Sequence, residues 1–143
     1  MGWKFAIGVL LIGMTSFAQS FKTIEKGAFG GVDKPLQVVA TNQTQWAELW
    51  DKHSARKLPK PPPPEIDFKK ESIIFVSMGQ KNTGGYTIEI SDIRRSGGKT
   101  EILVNTKEPK EGGLTIQALT APFHIVAVPK IEGEVKFTVN KGA

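Results

Sequence analysis

Histidine, serine and carboxylate side chains are the residues of this sequence that could perform acid–base or nucleophilic chemistry. The two histidines are His53 and His124, and a hydrolytic triad would need one of them beside a serine such as Ser77 or Ser91. The chain has no Gly-x-Ser-x-Gly, His-Glu-x-x-His or phosphate-binding glycine motif. Its carboxylates are dispersed, so no general acid and base can be paired. We therefore predict that the protein has no catalytic residues and is not an enzyme.

The composition excludes several further kinds of site. The 143 residues include no cysteine, which excludes a disulfide scaffold, a Cys-ligated metal site and a Cys nucleophile. The 19 lysines and arginines outnumber the 14 aspartates and glutamates, for a formal net charge of +5, but they are scattered along the chain. Nucleic-acid binding needs a dense basic face or stacking aromatics, so no nucleic-acid partner is predicted. No metal ion and no cofactor is predicted either.

The segment from Gly79 to Tyr86 is the candidate binding loop. It connects two apolar segments that are typical of strands, and its Gly84-Gly85 pair permits a positive φ or the close approach of another backbone. The pair stands directly before an aromatic residue, Tyr86. Two interpretations remain open: a tight connection whose tyrosine packs in the core, or a rigidly presented binding loop.

Residues 1–18 are predicted to be a signal peptide. Lys4 supplies the basic start, the stretch from Phe5 to Phe21 is uncharged, and Ser16-Phe17-Ala18 fits cleavage after Ala18. The uncharged stretch is shorter than the roughly 20 apolar residues that a membrane-spanning helix needs. We expect an exported protein, periplasmic or secreted, with no stable membrane anchor after cleavage.

Residues 19–64 are predicted to hold two strands, one helix and a proline-rich connector. The strands are expected at Phe21–Ile24 and Leu36–Val39, and Asn42 is the predicted N-cap of the helix. One face of that helix is expected to dock on a sheet; it carries Trp46, Leu49, Trp50 and His53. The run Pro61–Pro64 can join neither a helix interior nor a central strand, which favours an extended, rigid spacer.

Residues 65–143 are predicted to form a β domain. The expected strands lie at 72–78, 86–91, 102–104, 114–119, 123–128 and 135–139. The turn Ser96-Gly97-Gly98 makes a hairpin of the second and third of them. The chain is therefore mainly β, and we predict an antiparallel β-sandwich or partly closed barrel with one short helix.

Three sequence blocks resemble the C-terminal domain of the PrcB family. They are Asp67-Phe68, the run Met78–Ile90 with its Thr-Gly-Gly-Tyr block, and the run Thr115–Val126 with its Thr-x-Pro-aromatic-His block. The resemblance extends from Glu65 to Pro129. It implies a small exported bacterial protein that associates with and stabilises a surface protease complex, and it does not imply catalysis. Lipoprotein members of the family carry a cysteine that this chain lacks.

A looser similarity connects the chain to chagasin-like cysteine-protease inhibitors, which present three loops from a β-sandwich. The corresponding segments are Asn82–Tyr86, Glu111–Gly113 and Ala121–Phe123, in the same order. The sequence departs from that pattern because no proline follows Asn82, the middle segment has two glycines, and Ala121 replaces an arginine. The similarity implies a shared loop-presenting architecture.

We predict a non-catalytic exported protein-binding domain whose loops meet at one end of the sandwich. The expected partner is a secreted or envelope protease, or another envelope protein. The predicted partner-binding residues are Asn82, Thr83, Gly84, Gly85, Tyr86, Gly112, Gly113, Thr120, Pro122, Phe123 and His124. The alternative is a structural or small-ligand-binding envelope domain with no protease partner, in which the same residues only shape the core.

Overall fold

The computed structural model describes residues 17–142, which form eight strands and one helix. In chain order they are β1 (Phe17–Ala18), β2 (Lys22–Gly27), β3 (Pro35–Ala40), α1 (Gln43–His53), β4 (Glu71–Met78), β5 (Thr87–Ser96), β6 (Lys99–Lys107), β7 (Phe123–Pro129) and β8 (Glu134–Lys141). Residues 1–16 of the predicted signal peptide lie outside the described residues. Its last two residues form β1.

The strands make two four-stranded sheets. One sheet has the order β2-β7-β4-β3 and is antiparallel throughout, and the other has the order β1-β5-β6-β8. In the second sheet β8 runs parallel to β6, whereas the other pairs are antiparallel. The predicted mainly-β sandwich with one short helix is confirmed, and the sheets do not close into a barrel.

An apolar core separates the two sheets, because inward-facing side chains recur at every second position of their strands. It consists of Ile74, Val76, Ile88, Ile90, Ile93, Ile102, Val104, Val126, Val128 and Ile131. In β5 the spacing between Ile90 and Ile93 is three, and a register shift between Ile90 and Asp92 returns Ile93 to the core face.

A second apolar layer covers the opposite face of the β2-β7-β4-β3 sheet. The run of apolar residues in β4 supplies both faces, since Ile73 and Phe75 point to this layer while Ile74 and Val76 point between the sheets. The helix α1 docks here through Trp46 and Trp50, as predicted.

Hydrogen bonds fix the N-terminus of α1 and its two tryptophans. Asn42 is the N-cap, and its side chain accepts a hydrogen bond of 2.9 Å from the backbone N–H of Gln45. The indole N–H groups of Trp46 and Trp50 donate to the carbonyls of Pro64 and Pro61, at 3.0 and 2.8 Å. The proline-rich connector therefore lies against the helix, because its carbonyls satisfy two otherwise buried donors.

Two expectations from the sequence need comment. The strand predicted at 114–119 is wrong, since that segment is irregular and much of it is exposed. The predicted boundary between residues 64 and 65 crosses a single sheet: β2 and β3 from the first segment pair with β7 and β4 from the second. No helix within residues 17–142 has the length and apolar character needed to cross a membrane.

Candidate functional site

Three loops meet at one end of the sandwich, which we call the three-loop end. They are the β2–β3 loop (residues 28–34), the β4–β5 loop (residues 79–86) and the β6–β7 loop (residues 108–122). The loops converge because β2, β7 and β4 are neighbours in one sheet, whose register places Gly27 and Ser77 on either side of Phe123.

The β4–β5 and β6–β7 loops are joined by backbone hydrogen bonds. Lys81 and Thr120 exchange two of them, at 2.7 and 2.9 Å, and the backbone N–H of Gly84 donates to the carbonyl of Ile116 at 2.8 Å. The hydroxyl of Thr120 also donates to the carbonyl of Thr83 at 2.8 Å. These bonds hold the two loops as one unit.

Gly85 is required where the two loops cross. Its φ of +92° is rarely adopted by residues with side chains, and an added Cβ would lie 2.8 Å from the Cβ of Pro109. The same Cβ would lie 3.3 Å from Cγ2 of Thr115. The close approach expected at the Gly84-Gly85 pair is therefore present, and the segment that approaches is the β6–β7 loop.

The β2–β3 loop is the third member of this end. Gly30 donates to the carbonyl of Ala121 at 2.9 Å, and Ala121 donates to the carbonyl of Ala28 at 2.8 Å. A further bond of 2.9 Å runs from the N–H of Gln80 to the carbonyl of Asp33. All three loops are thus fixed to each other by main-chain contacts. Binding of a partner would therefore cost little further loss of conformational freedom.

Four large apolar side chains of the three-loop end face solvent. Leu114 is fully exposed, Ile116 is 73% exposed, Leu119 is 59% exposed, and Phe29 of the β2–β3 loop is 68% exposed. We call these four residues the apolar tips. Single exposed apolar residues are ordinary. These four are the candidate contact residues because the loops that carry them are joined by backbone hydrogen bonds.

Residues 72–129 match the PrcB C-terminal family. The match confirms the resemblance predicted from the sequence blocks. It spans β4 to β7, so this PrcB C-terminal segment includes the β4–β5 and β6–β7 loops, while α1 and the β2–β3 loop lie outside it. No curated protein and no solved structure matches the chain. The similarity to chagasin-like inhibitors is not confirmed.

The predicted binding residues of the PrcB C-terminal segment fall into three groups. Asn82, Gly85, Gly112 and Gly113 are exposed; Thr83, Gly84 and Tyr86 are half-buried; Thr120, Pro122, Phe123 and His124 are buried. The four buried residues lie below the surface, where a docked protein does not reach, so they support the loops and are not part of the candidate contact surface. The exposed residues stay a prediction.

Tyr86 and Gly112 differ in how closely other residues surround them. The Lys81 ammonium lies 5.0 Å from the centre of the Tyr86 ring, a cation–π contact within the β4–β5 loop. Gly112 has a φ of +76° with no atom within 4 Å of an added Cβ. Gly112 is therefore surrounded by solvent, whereas Tyr86 is partly packed against Lys81.

His124 joins the two sheets. Its Nδ1 accepts the backbone N–H of Ile90 in β5, and its Nε2 lies 2.9 Å from Oγ1 of Thr23 in β2. With Nδ1 as an acceptor, the neutral ring carries its proton on Nε2 and donates it to the threonine. Burial, helped by the Lys26 charge and opposed by Glu89, lowers the pKa of His124 to about 4. Both ring nitrogens are occupied.

Sequence reasoning missed the apolar tips and the β2–β3 loop. Leu114, Ile116 and Leu119 lie in the segment predicted to be a strand, and Phe29 lies between the two strands predicted before the helix. A usable signal was present: Gly112-Gly113 and Pro122 interrupt the chain on both sides of 114–119. Within residues 17–142 no group of three or more His, Asp or Glu side chains is placed to hold a metal ion.

Proposed function

We propose that this protein is an exported, non-catalytic binding domain that docks on a protease or another envelope protein through the three-loop end. The observation that carries the proposal is the set of apolar tips: large side chains face water on loops that hydrogen bonds already hold in place. Burying such side chains against a partner would release about 25 cal/mol for each Å² of apolar surface.

The fixed geometry of the loops supports docking further. A flexible loop loses conformational freedom when it binds, and each immobilised side chain costs about 0.5–1.5 kcal/mol. At the three-loop end the backbones are already tied by the bonds of Lys81, Thr120, Gly84 and Gly30. Little of the binding free energy would therefore be spent on ordering the loops.

The proposed partner comes from the family match. The PrcB C-terminal segment suggests a subunit associated with a protease complex. Export through the predicted signal peptide would place the protein where secreted and surface proteases occur. The absence of catalysis is part of the proposal, and it is supported by His124, whose ring nitrogens are both engaged in structural hydrogen bonds, one to Thr23 of its own sheet and one to Ile90 of the other sheet.

The test is capture of a partner from the native secreted and envelope fraction by protein that starts at Gln19. The decisive variant is Ile116→Asp, which places a charge among the apolar tips. Its matched control is Leu58→Asp, which makes the same change at an almost fully exposed leucine of the connector. The captured protease is then incubated alone, with wild type and with each variant, and its activity is followed over time.

We expect wild type and Leu58→Asp to capture the protease and change its activity or lifetime, and Ile116→Asp to lose at least tenfold in capture. A longer lifetime would identify a stabiliser, and a lower activity an inhibitor. Equal capture by all three proteins would contradict docking through the three-loop end. Capture of no protease would favour the alternative of an envelope domain without such a partner.

A further inference from the structure

His53 lies directly beneath the three-loop end. It occupies the last turn of α1, its side chain is fully buried, and its ring packs edge-on against Phe123 and Phe75, with centroids 4.3 and 5.6 Å apart. Phe123 begins β7 at the point where the β6–β7 loop ends. The position of this ring is therefore coupled to the base of the β6–β7 loop.

The β2–β3 loop rests on the same histidine. An added Cβ at Gly30 would lie 3.4 Å from Nδ1 of His53, and one at Gly31 would overlap the carbonyl oxygens of Lys52 and His53. Only residues without a side chain allow the loop backbone to pack so closely on the end of α1. Any movement or change of charge at His53 therefore changes the packing of the β2–β3 loop on α1.

One nitrogen of His53 has a partner and the other has none. Nε2 lies 3.2 Å from Oε2 of Glu25, whose Oε1 accepts a hydrogen bond of 2.9 Å from Nζ of Lys57. Burial by itself would raise the pKa of Glu25, but the hydrogen bonds and charges of Lys57 and His53 outweigh it and hold that pKa below its usual value. Glu25 is thus ionised and accepts the Nε2 proton, and the buried Nδ1 has no hydrogen-bond partner among the described residues.

We propose that His53 is a pH-sensitive latch that holds the β2–β3 loop on α1 when neutral and releases it when Nδ1 is protonated. Protonation would create a buried N–H with no acceptor, and a cation packed against two phenylalanines and a glycine backbone. Both changes penalise the closed arrangement. The consequence for partner binding rests on the proposed function, whereas the release of the loop does not.

Burial and the charged groups around the His53 ring determine how pH shifts the β2–β3 loop between its closed and open states. Glu25 faces it from β2 and Lys57 from the turn after α1, while Arg56 bonds the carbonyl of Gly30 and pairs with Asp33. Burial lowers the pKa of His53 below its ordinary 6.5, Lys57 lowers it further, and Glu25 partly opposes them. Because the closed state disfavours the proton, acid favours an open state in which the ring is hydrated.

The experiment is NMR-detected hydrogen exchange on the isolated protein from pH 7.5 to pH 5, with the His53 ring titrated in the same samples. The reporters are the amides of Gly30, Ala121 and Gln80, which donate between the loops. The internal reference is Ile102 of the β5–β6 hairpin. We expect protection factors of the reporters to fall at least threefold as the pH falls from 6.5 towards the lowered pKa of the ring. Ile102, which exchanges only when the whole domain unfolds, should stay better protected than the reporters at every pH. His124 lowers the stability of the whole fold over the same range, because its pKa is about 4 when folded and 6.5 when unperturbed, so the effect of His53 is isolated by the variants.

Two variants make the test specific. His53→Phe removes the titrating group and should abolish the fall. Glu25→Gln removes the charge that raises the pKa of His53 in the closed state, so the fall should continue to lower pH. Unchanged protection while the ring titrates, or the same fall in His53→Phe, would overturn the latch. If His53→Phe does not fold, wild type and Glu25→Gln still decide.

This outcome is separate from that of the proposed function. The exchange measurement needs no partner, so a failed capture experiment leaves the latch standing. Conversely, a partner that binds the three-loop end equally at pH 7.5 and pH 5, while the loop opens, would contradict the latch as a regulator and leave docking intact.

Discussion

The core between the sheets and the three-loop end use apolar side chains in opposite ways. In the core, Ile74, Ile93 and Ile102 are fully buried and their surface contributes to the stability of the fold. At the three-loop end, Leu114 and Ile116 face water, and backbone hydrogen bonds hold the chain in shape. The first region is organised by side-chain packing and the second by main-chain contacts, which leaves its side chains free for a partner.

The two histidines follow the same division. His124 lies in the core with both ring nitrogens bonded, so it acts as a fixed connection between the sheets. His53 lies below the three-loop end with Nδ1 unbonded, so its neutral state is favoured by the absence of an acceptor. Protonation of His124 would break a bond between the sheets, whereas protonation of His53 would create a buried donor without an acceptor beneath the loops.

A pair of isoleucines should show the largest contrast between the regions. Ile93→Ala removes a fully buried side chain, and we expect a loss of about 2–5 kcal/mol in the free energy of unfolding. Ile116→Ala truncates an exposed one, and its effect should stay within about 0.5 kcal/mol. Urea unfolding of both variants measures this. Equal losses would mean that Ile116 is packed, and the contrast between the regions would fail.

Acid should weaken the connection between the sheets. The pKa of His124 is about 4 when folded and 6.5 when unperturbed, so its contribution is complete above pH 6.5 and is lost as the pH falls to about 4. The shift corresponds to about 3 kcal/mol, to which His53 adds in the same direction. Urea midpoints at pH 7, 6, 5 and 4 should fall steadily. A flat profile over this range would contradict the neutral, bonded state of His124.

Two glycines of the three-loop end separate backbone strain from crowding. Gly85→Ala combines a φ of +92° with a contact of 2.8 Å, and we expect it to cost about 2–3 kcal/mol of stability. Gly112→Ala has a φ of +76° but open space, so about 1 kcal/mol is expected. Thermal or urea unfolding checks the order. A larger loss at Gly112 would show that the two loops do not pack at Gly85.

The smallest predicted effect concerns the hydroxyl that joins two loops. Thr120→Val keeps the shape of the side chain but removes its hydrogen bond to the Thr83 carbonyl, so we expect a loss of about 0.5–1.5 kcal/mol. Amide exchange at Lys81 and Gly84 should quicken while the β5–β6 hairpin stays unchanged. Quickening throughout the molecule would show instead that the bond supports the whole fold.

Much of the fold could be predicted from local signals. Alternating residues located β5 and β6, the Gly97-Gly98 turn joined them, and Asn42 marked the start of α1. These features depend on neighbours within a few positions. By contrast, the parallel placement of β8 beside β6 depends on which sheet edge is open, and nothing local in Glu134–Lys141 encodes it.

The site was harder to predict for a physical reason. Leu114 and Ile116 alternate with polar residues, as they would in a half-buried strand, and only the absence of a pairing strand leaves them exposed. Phe123 and His124 belong to the Thr-x-Pro-aromatic-His block and are predicted to contact a partner, yet they begin β7 and are buried. The sequence indicated the β4–β5 loop and the glycines at 112–113, whereas burial decides which loop residues can touch a partner.

The most direct test of docking at the three-loop end is an exchange footprint of the protein with its captured protease. Amides are compared between the free and bound protein at pH 7.5, where His53 is neutral. We predict slowed exchange at 28–31 and 114–119, with no change on the outer face of β6 and β8. Protection confined to β6 and β8, with 114–119 unaffected, would contradict the account.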